Sequence, residues 1–123
     1  MQEREALVRG GGVKCIAIYI TICYNMKERQ QMLKFEWDEN KERINVEKHG
    51  IDFSTAVLVF GDNSRLEKYD NAHSTLEDRY ITIGQIGQAL VIVVVYTERG
   101  DAIRVISARF ATRHEKEAYY GYH

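Results

Sequence analysis

The sequence contains no proline and only two cysteines, Cys15 and Cys23, both near its start. That leaves no disulfide framework and no CxxC metal spacing, and after residue 23 no thiol nucleophile. Such cysteine usage suits a reducing cytoplasm. The apolar run over residues 15–24 is too short to span a bilayer, which needs about 20 residues. The flank after it, Asn25-Met26-Lys27-Glu28, holds no small-x-small cleavage site, which argues against export. There is no P-loop, no GxGxxG and no GxSxG elbow. The four histidines, His49, His73, His114 and His123, are too scattered to make a ligand set, so no metal and no cofactor is expected. Charge of one sign is not in excess either: 17 basic and 18 acidic residues give a net charge of −1. No global basic field announces nucleic acid.

What is present suits one globular domain. The chain has 123 residues, 45% of them hydrophobic, and its β-branched runs and eight tyrosines disfavour disorder. One composition shift lies near residue 31. Before it stand Gly10-Gly11-Gly12, a β-like run over residues 13–24 and the polar stretch Lys27-Glu28-Arg29-Gln30-Gln31. Residues 1–31 therefore read as an N-terminal extension and residues 32–123 as the main domain. Lys27-Glu28-Arg29 can be encoded by a purine-rich stretch resembling a ribosome-binding site, which makes Met32 a candidate native start; the alternative is a genuine extra strand and linker. The domain after Met32 carries twelve basic and fifteen acidic residues. Within it Arg99, Arg104, Arg109 and Arg113 are opposed only by Asp101, an arginine island able to accept an anionic ligand or an acidic partner.

The pattern after Met32 predicts a short strand over 34–37, then a helix capped by Asp38 and stopped at Gly50, with Ile44 and Val46 as its apolar contacts. Asp52 or Ser54 caps a second helix, with Phe53, Ala56, Val57 and Phe60 at helical spacing. Strands follow over 65–69, 79–83, 90–96 and 103–110, with turns at 84–87 and 97–101, and Thr112 caps a final helix. The run 90–96 is apolar throughout and reads as a central strand buried on both faces. Strict alternation over 103–110 puts Arg104, Ile106, Ala108 and Phe110 on one face and Ile103, Val105, Ser107 and Arg109 on the other. The expectation is an α+β fold of two layers: an antiparallel sheet of four to five strands with helices packed on it, in the order β-α-α-β-β-β-β-α.

The polar residues fit phosphodiester chemistry. Metal-free RNA cleavage uses the substrate's 2′-hydroxyl as nucleophile and needs a base, cations for the pentavalent phosphorane, and an acid for the leaving 5′-oxygen. Arg79, Arg104 and Arg109 suit the cationic task, because the guanidinium fork binds phosphate oxygens bidentately. His49, His73 and Glu77 are acid–base candidates, with Tyr119 or Tyr120 as donors or stacking platforms. Each has a structural alternative. His49 fits a helix C-terminus, Arg104 and Arg109 could be held in ion pairs, Glu77 and Arg79 could form a salt bridge, and Trp37-Asp38 suits core packing plus a cap. On chemistry alone the residues give an α+β domain with an anion-binding face.

Residues 34–120 resemble the BrnT toxin family, relatives of RelE-type ribonucleases. The resemblance rests on Phe35-Glu36-Trp37-Asp38 with Lys41 and Asn45; on Lys48-His49-Gly50-Ile51 with Phe53 and Ala56; and on Val59-Phe60, Asp62, Asp70, His73 and Glu77-x-Arg79. It continues through Val94-Val95-Tyr96-Thr97-Glu98-Arg99-Gly100, Ile103-Arg104, Ile106-Ser107-Ala108-Arg109 and Ala111-Thr112-Arg113 with Glu115 and Tyr119. The 31-residue leader lies outside the pattern, and Asp62-Asn63 stands where Asp-Pro is common. The resemblance implies a RelE-like fold and a cytoplasmic, metal-independent endoribonuclease that arrests translation. It also implies a BrnA-like ribbon-helix-helix antitoxin as partner, in a two-to-two assembly that touches operator DNA only through the antitoxin. The candidate catalytic residues are Arg79, Arg109, Glu77, His49 and Arg104; His73, Arg113 and Tyr119 are candidates for RNA contact. Two other function classes remain open: a non-catalytic, degenerate toxin that only binds an antitoxin or regulator, and a general nucleic-acid-binding domain, which the acidic main domain disfavours.

Overall fold

The computed structural model describes residues 3–10, 13–23 and 30–121. Gly11, Gly12, His123 and the polar stretch from Lys27 to Arg29 lie outside the described residues. The N-terminal segment supplies β1 (Glu3–Gly10) and β2 (Val13–Cys23). The rest runs through β3 (Gln30–Asp38), α1 (Glu39–His49), α2 (Phe53–Ala56), a 3₁₀ turn (Val57–Gly61), β4 (Leu66–Tyr69), β5 (Tyr80–Ile86), β6 (Leu90–Arg99), β7 (Ala102–Phe110) and α3 (Arg113–Gly121). The fold is α+β as expected, but the sheet is neither wholly antiparallel nor four- to five-stranded. Among the described residues it has seven strands in the order β1-β2-β3-β7-β6-β5-β4. The β1–β2 hairpin adds two strands. β3 and β7 pair in parallel, Phe35 opposite Ile103, because the helices and a three-strand meander bring β7 back alongside β3.

Local chemistry sets the helix ends. Asp38 accepts hydrogen bonds from the Asn40 and Lys41 amides, Glu39 and Glu42 occupy the first turn, and Lys48 and His49 the last. Gly50 closes α1 at a φ of 75°, a conformation few other residues adopt. Asp52, rather than Ser54, caps α2 through the Thr55 amide. Phe53, Ala56, Val57 and Phe60 are buried at the predicted helical spacing, although the helix tightens to 3₁₀ after one turn. That turn presses on β5 at Gly84, where an added Cβ would overlap Val59. Gly84 therefore belongs to a strand under close approach and not to the turn, which falls instead at Gly87 with a φ of 65°.

How α1 is held differs from the expectation. Ile44 and Val46 are exposed, and the buried residue of the helix is Asn45. Its amide donates to the Ile51 and Ala108 carbonyls at 2.9 and 2.8 Å and accepts from the Ala108 amide at 3.0 Å. β3 pairs with β7 only as far as Arg104, so the Asn45 side chain stands in for a strand beside Ala108. Asn45→Ala leaves a buried N–H and two carbonyls without partners. The variant should lose about 2–4 kcal/mol of stability, measurable by urea denaturation.

The main core lies on the face covered by α1, α2 and the 3₁₀ turn. Ile18, Ile20, Phe35, Trp37, Phe53, Phe60, Val94, Tyr96, Val105 and Ala108 meet there. Phe35, Phe60 and Tyr96 pack ring to ring at 5.1 Å centroid spacing. A smaller cluster on the opposite face joins Ile83, Val91 and Val93 to Tyr119 of α3. The two clusters bury β6 on both sides, as its composition predicts. They also overturn the two-layer expectation, since α3 covers part of the face away from α1.

Candidate active site

A β-bulge assembles the arginines. β7 pairs Ser107 with Val95 and Val105 with Tyr96, leaving Ile106 without a partner. One extra residue reverses the alternation beyond it. Val105 and Ala108 both enter the main core, while Arg104, Ser107 and Arg109 share the opposite face with Thr97, Val95 and Val93. Strict alternation had separated Arg104 from Arg109; the bulge reunites them.

Across that face a row of four residues forms. Arg104 is opposite Thr97 on β6 and Glu36 on β3. Arg79 immediately precedes Tyr80, which faces Tyr96, so Arg79 falls beside Thr97. The Thr97 hydroxyl donates to the Asp78 carbonyl at 2.6 Å and ties this end of the loop to the sheet. At about 4.8 Å per strand, Arg79 and Arg104 are about 10 Å apart at Cα, a gap that two arginine side chains can close on a single phosphate.

The charges in this row are loosely paired. Glu77 lies 3.9 Å from the Arg79 guanidinium and 3.8 Å from that of Arg99. Arg104 is 4.0 Å from Glu36 and donates weakly to the Cys15 thiol at 3.7 Å. The three separations from carboxylates exceed hydrogen-bond length. The Arg79 Nε is buried without a hydrogen-bond partner among the described residues.

The segment leading into Arg79 is a loop closed at its neck. The Asp70 amide donates to the Arg79 carbonyl at 2.8 Å. Ser74 Oγ donates to the Asp70 carbonyl at 2.6 Å and accepts from the Arg79 amide at 2.9 Å. This loop carries His73 and Glu77 and leads into Arg79, with Glu77 beside the Arg79 guanidinium.

Arg109 is arranged differently. Its guanidinium grips Glu115 with two hydrogen bonds of 2.7 and 2.8 Å, and it stands about 13 Å along β7 from Arg104. Glu115 also accepts from the Thr112 amide while its own amide donates to Thr112 Oγ1, a capping box that starts α3. The Arg109 hydrogen bonds, aided by Thr112, hold the Glu115 carboxyl down to about 2 from the usual 4.5. A depressed carboxylate stabilises the fold fully above its unfolded value, and the contribution fades as pH falls toward the folded one. Glu115→Gln should therefore be less stable than the native chain at neutral pH. The difference should shrink between about pH 4.5 and pH 2. Solvent around the 42% exposed Arg109 side chain keeps the pair's contribution modest, at about 1 kcal/mol. Thermal melts of both proteins across that range measure it.

The other predicted residues lie elsewhere. His49 ends α1, on the far side of the sheet from the arginine row, where it complements the helix dipole. Arg113 is 93% exposed and paired with Glu117 one helical turn on. Tyr119 is buried, its hydroxyl donates to Asp62, and burial together with that contact pushes its pKa up to about 12. It is a core residue of α3 and offers no face for a base; its exposed neighbour Tyr120 does. Sequence reasoning gave no site role to Arg99, although it lies in the arginine island, nor to Thr97 and Glu36, which only strand register reveals. The side chains of the row are partly covered, Arg104 being 16% and Arg79 32% exposed, and three hollows among the described residues are lined by other side chains. Among the described residues no group of histidine, cysteine and acidic side chains is placed to hold a metal ion, and no helix is long and apolar enough to cross a membrane.

Comparison with known proteins bears on this surface. A family model described as the ribonuclease toxin BrnT of type II toxin–antitoxin systems matches residues 37–115. The crystal structure of the Brucella abortus ribonuclease toxin BrnT is similar at 31% sequence identity and a TM-score of 0.51, covering 63% of this chain and 94% of that chain. No curated protein sequence matches the chain.

Proposed function

The chain belongs to the BrnT family of ribonuclease toxins of type II toxin–antitoxin systems, and from that premise we propose that it is a metal-independent endoribonuclease whose active site is the Arg79–Thr97–Arg104 row with its adjoining loop. The observation that carries this reading is the pair of loosely held guanidinium groups in register across three strands. Arg79 and Arg104, with Arg99 beside them, hold the scissile phosphate and stabilise the charge that builds on its oxygens. His73 and Glu77 carry the protons. One takes the 2′-hydroxyl proton as the 2′-oxygen attacks phosphorus. The other protonates the 5′-oxygen as the P–O5′ bond breaks, leaving a 2′,3′-cyclic phosphate and a free 5′-hydroxyl. In this proposal Arg109 supports α3 and leaves the chemistry to the row.

The same reading gives the chain a cytoplasmic place, a RelE-like ancestry and translation as its target. Its partner is a BrnA-like ribbon-helix-helix antitoxin in a two-to-two assembly, and operator DNA is met only through that partner. The saturation of Arg109 by Glu115 favours a second reading, a degenerate toxin whose remaining arginines dock an acidic protein surface. Incubating the purified, folded protein with single-stranded RNA in a chelator separates the two. Cleavage to cyclic phosphate ends is the expected result, and intact RNA at micromolar protein would favour the binding module.

A further inference from the structure

We propose that Asp70 is the positioning residue of His73, fixing the imidazole so that Nε2 is the atom that exchanges protons with the substrate. The inference rests on the ribonuclease reading above and deepens it.

Asp70 is only 8% exposed, and a buried carboxylate needs a partner to offset its lost hydration. Three other aspartates of this chain accept from backbone amides, Asp62 from the Tyr119 hydroxyl as well. Asp38 accepts from the Asn40 amide, Asp52 from the Thr55 amide, and Asp62 from the Ser64 and Gln85 amides. The Asp70 carboxylate instead meets an imidazole: Oδ2 lies 3.0 Å and Oδ1 3.3 Å from Nδ1 of His73. The neck of the loop is closed by hydrogen bonds of the Asp70 backbone and of Ser74, to which the carboxylate contact with His73 is additional.

The consequence is chemical. A carboxylate beside Nδ1 favours the tautomer with the proton there, which leaves the Nε2 lone pair free. The His73 side chain stays 69% exposed, on the loop that also carries Glu77 and leads into Arg79. Asp70 touches no substrate and acts through His73.

Two measurements on the full chain test this. Proton–nitrogen correlation spectra of the histidine rings should show His73 with its proton on Nδ1, and Asp70→Asn should shift the population toward Nε2–H. In RNA cleavage, Asp70→Asn should lower kcat by about 10- to 100-fold with KM little changed. The same substitution should have no further effect when His73 is already alanine. Asp70→Ser is the second variant should Asp70→Asn fold poorly. A native His73 protonated on Nε2 would overturn the proposal, as would an equal loss of kcat in the His73→Ala background. Were the native chain to leave RNA intact, the ribonuclease reading would fall, and the ring spectra alone would decide whether Asp70 sets the tautomer.

Discussion

Arg79→Ala and Arg104→Ala are each expected to lower kcat for RNA cleavage by roughly 10²–10³-fold while leaving the fold intact. That is the usual cost of removing one preorganised donor from a developing oxyanion. Neither side chain is held by a hydrogen-bonded carboxylate: Glu77 and Glu36 stand 3.9 and 4.0 Å away. Truncation should therefore cost much activity, with little loss of stability at Arg79 and more at Arg104, whose side chain is 16% exposed. Arg79→Lys should recover only a small part, because an ammonium cannot bind two phosphate oxygens in the guanidinium's planar geometry. Arg109→Ala makes the contrast. It breaks the paired hydrogen bonds to Glu115 and loosens α3, so its melting temperature should fall while the folded fraction keeps its specific activity. Glu115→Ala should behave like Arg109→Ala, and more severely, since it also removes the carboxylate that accepts from the Thr112 amide. Single-turnover cleavage beside thermal melts for the four alanine variants reads both axes. Should Arg109→Ala abolish cleavage in a stable protein while Arg79→Ala and Arg104→Ala stay active, the row is not the active site.

These residue types could be chosen from the sequence, but their grouping could not. Arg79, Arg104, Arg109, Glu77, His49 and His73 are candidates in sequence because phosphodiester chemistry needs cations and proton carriers, and nothing local ranks them. Alternation then misplaces Arg104, because a single unpaired residue, Ile106, inverts the faces of β7 and nothing local marks it as bulged. Arg109 looks as free as Arg79 in sequence. Its partner, six residues on, is already legible as half of a capping box, and the direction in which α3 folds back decides the rest. The caps at Asp38 and Gly50 and the doubly buried β6 are legible because each depends on neighbours in sequence or on composition alone. Asn45 and Tyr119 are not. A polar residue at a helix centre and an aromatic near a chain end become buried only once β7 and β5 lie beneath them.

A chain beginning at Met32 should fail to fold as a stable monomer. Met32 is the start that the polar stretch before it suggests, yet β2 completes the sheet. It pairs antiparallel with β3 from Cys15–Asp38 to Cys23–Gln30, and Ile18 and Ile20 lie fully buried against Phe35 and Leu33. Burial of each isoleucine stabilises by about 1.5–3 kcal/mol, so losing the two costs about 3–6 kcal/mol before the unpaired edge of β3 is counted. A domain of this size has about 5–15 kcal/mol in total. The exposed edge, next to uncovered Phe35 and Trp37, would be a template for association. The truncated protein should therefore melt without a cooperative transition, bind a hydrophobic dye, or elute as an oligomer. A monomer with the melting temperature of the full chain would show that the hairpin is dispensable. Mass spectrometry of the protein from its native host supplies the other half of the test, since a peptide covering residues 13–24 means that the segment is translated. If the native chain instead begins at Met32, the surface under Ile18 and Ile20 has to be covered by another strand, and only a partner that stays bound through purification can provide it.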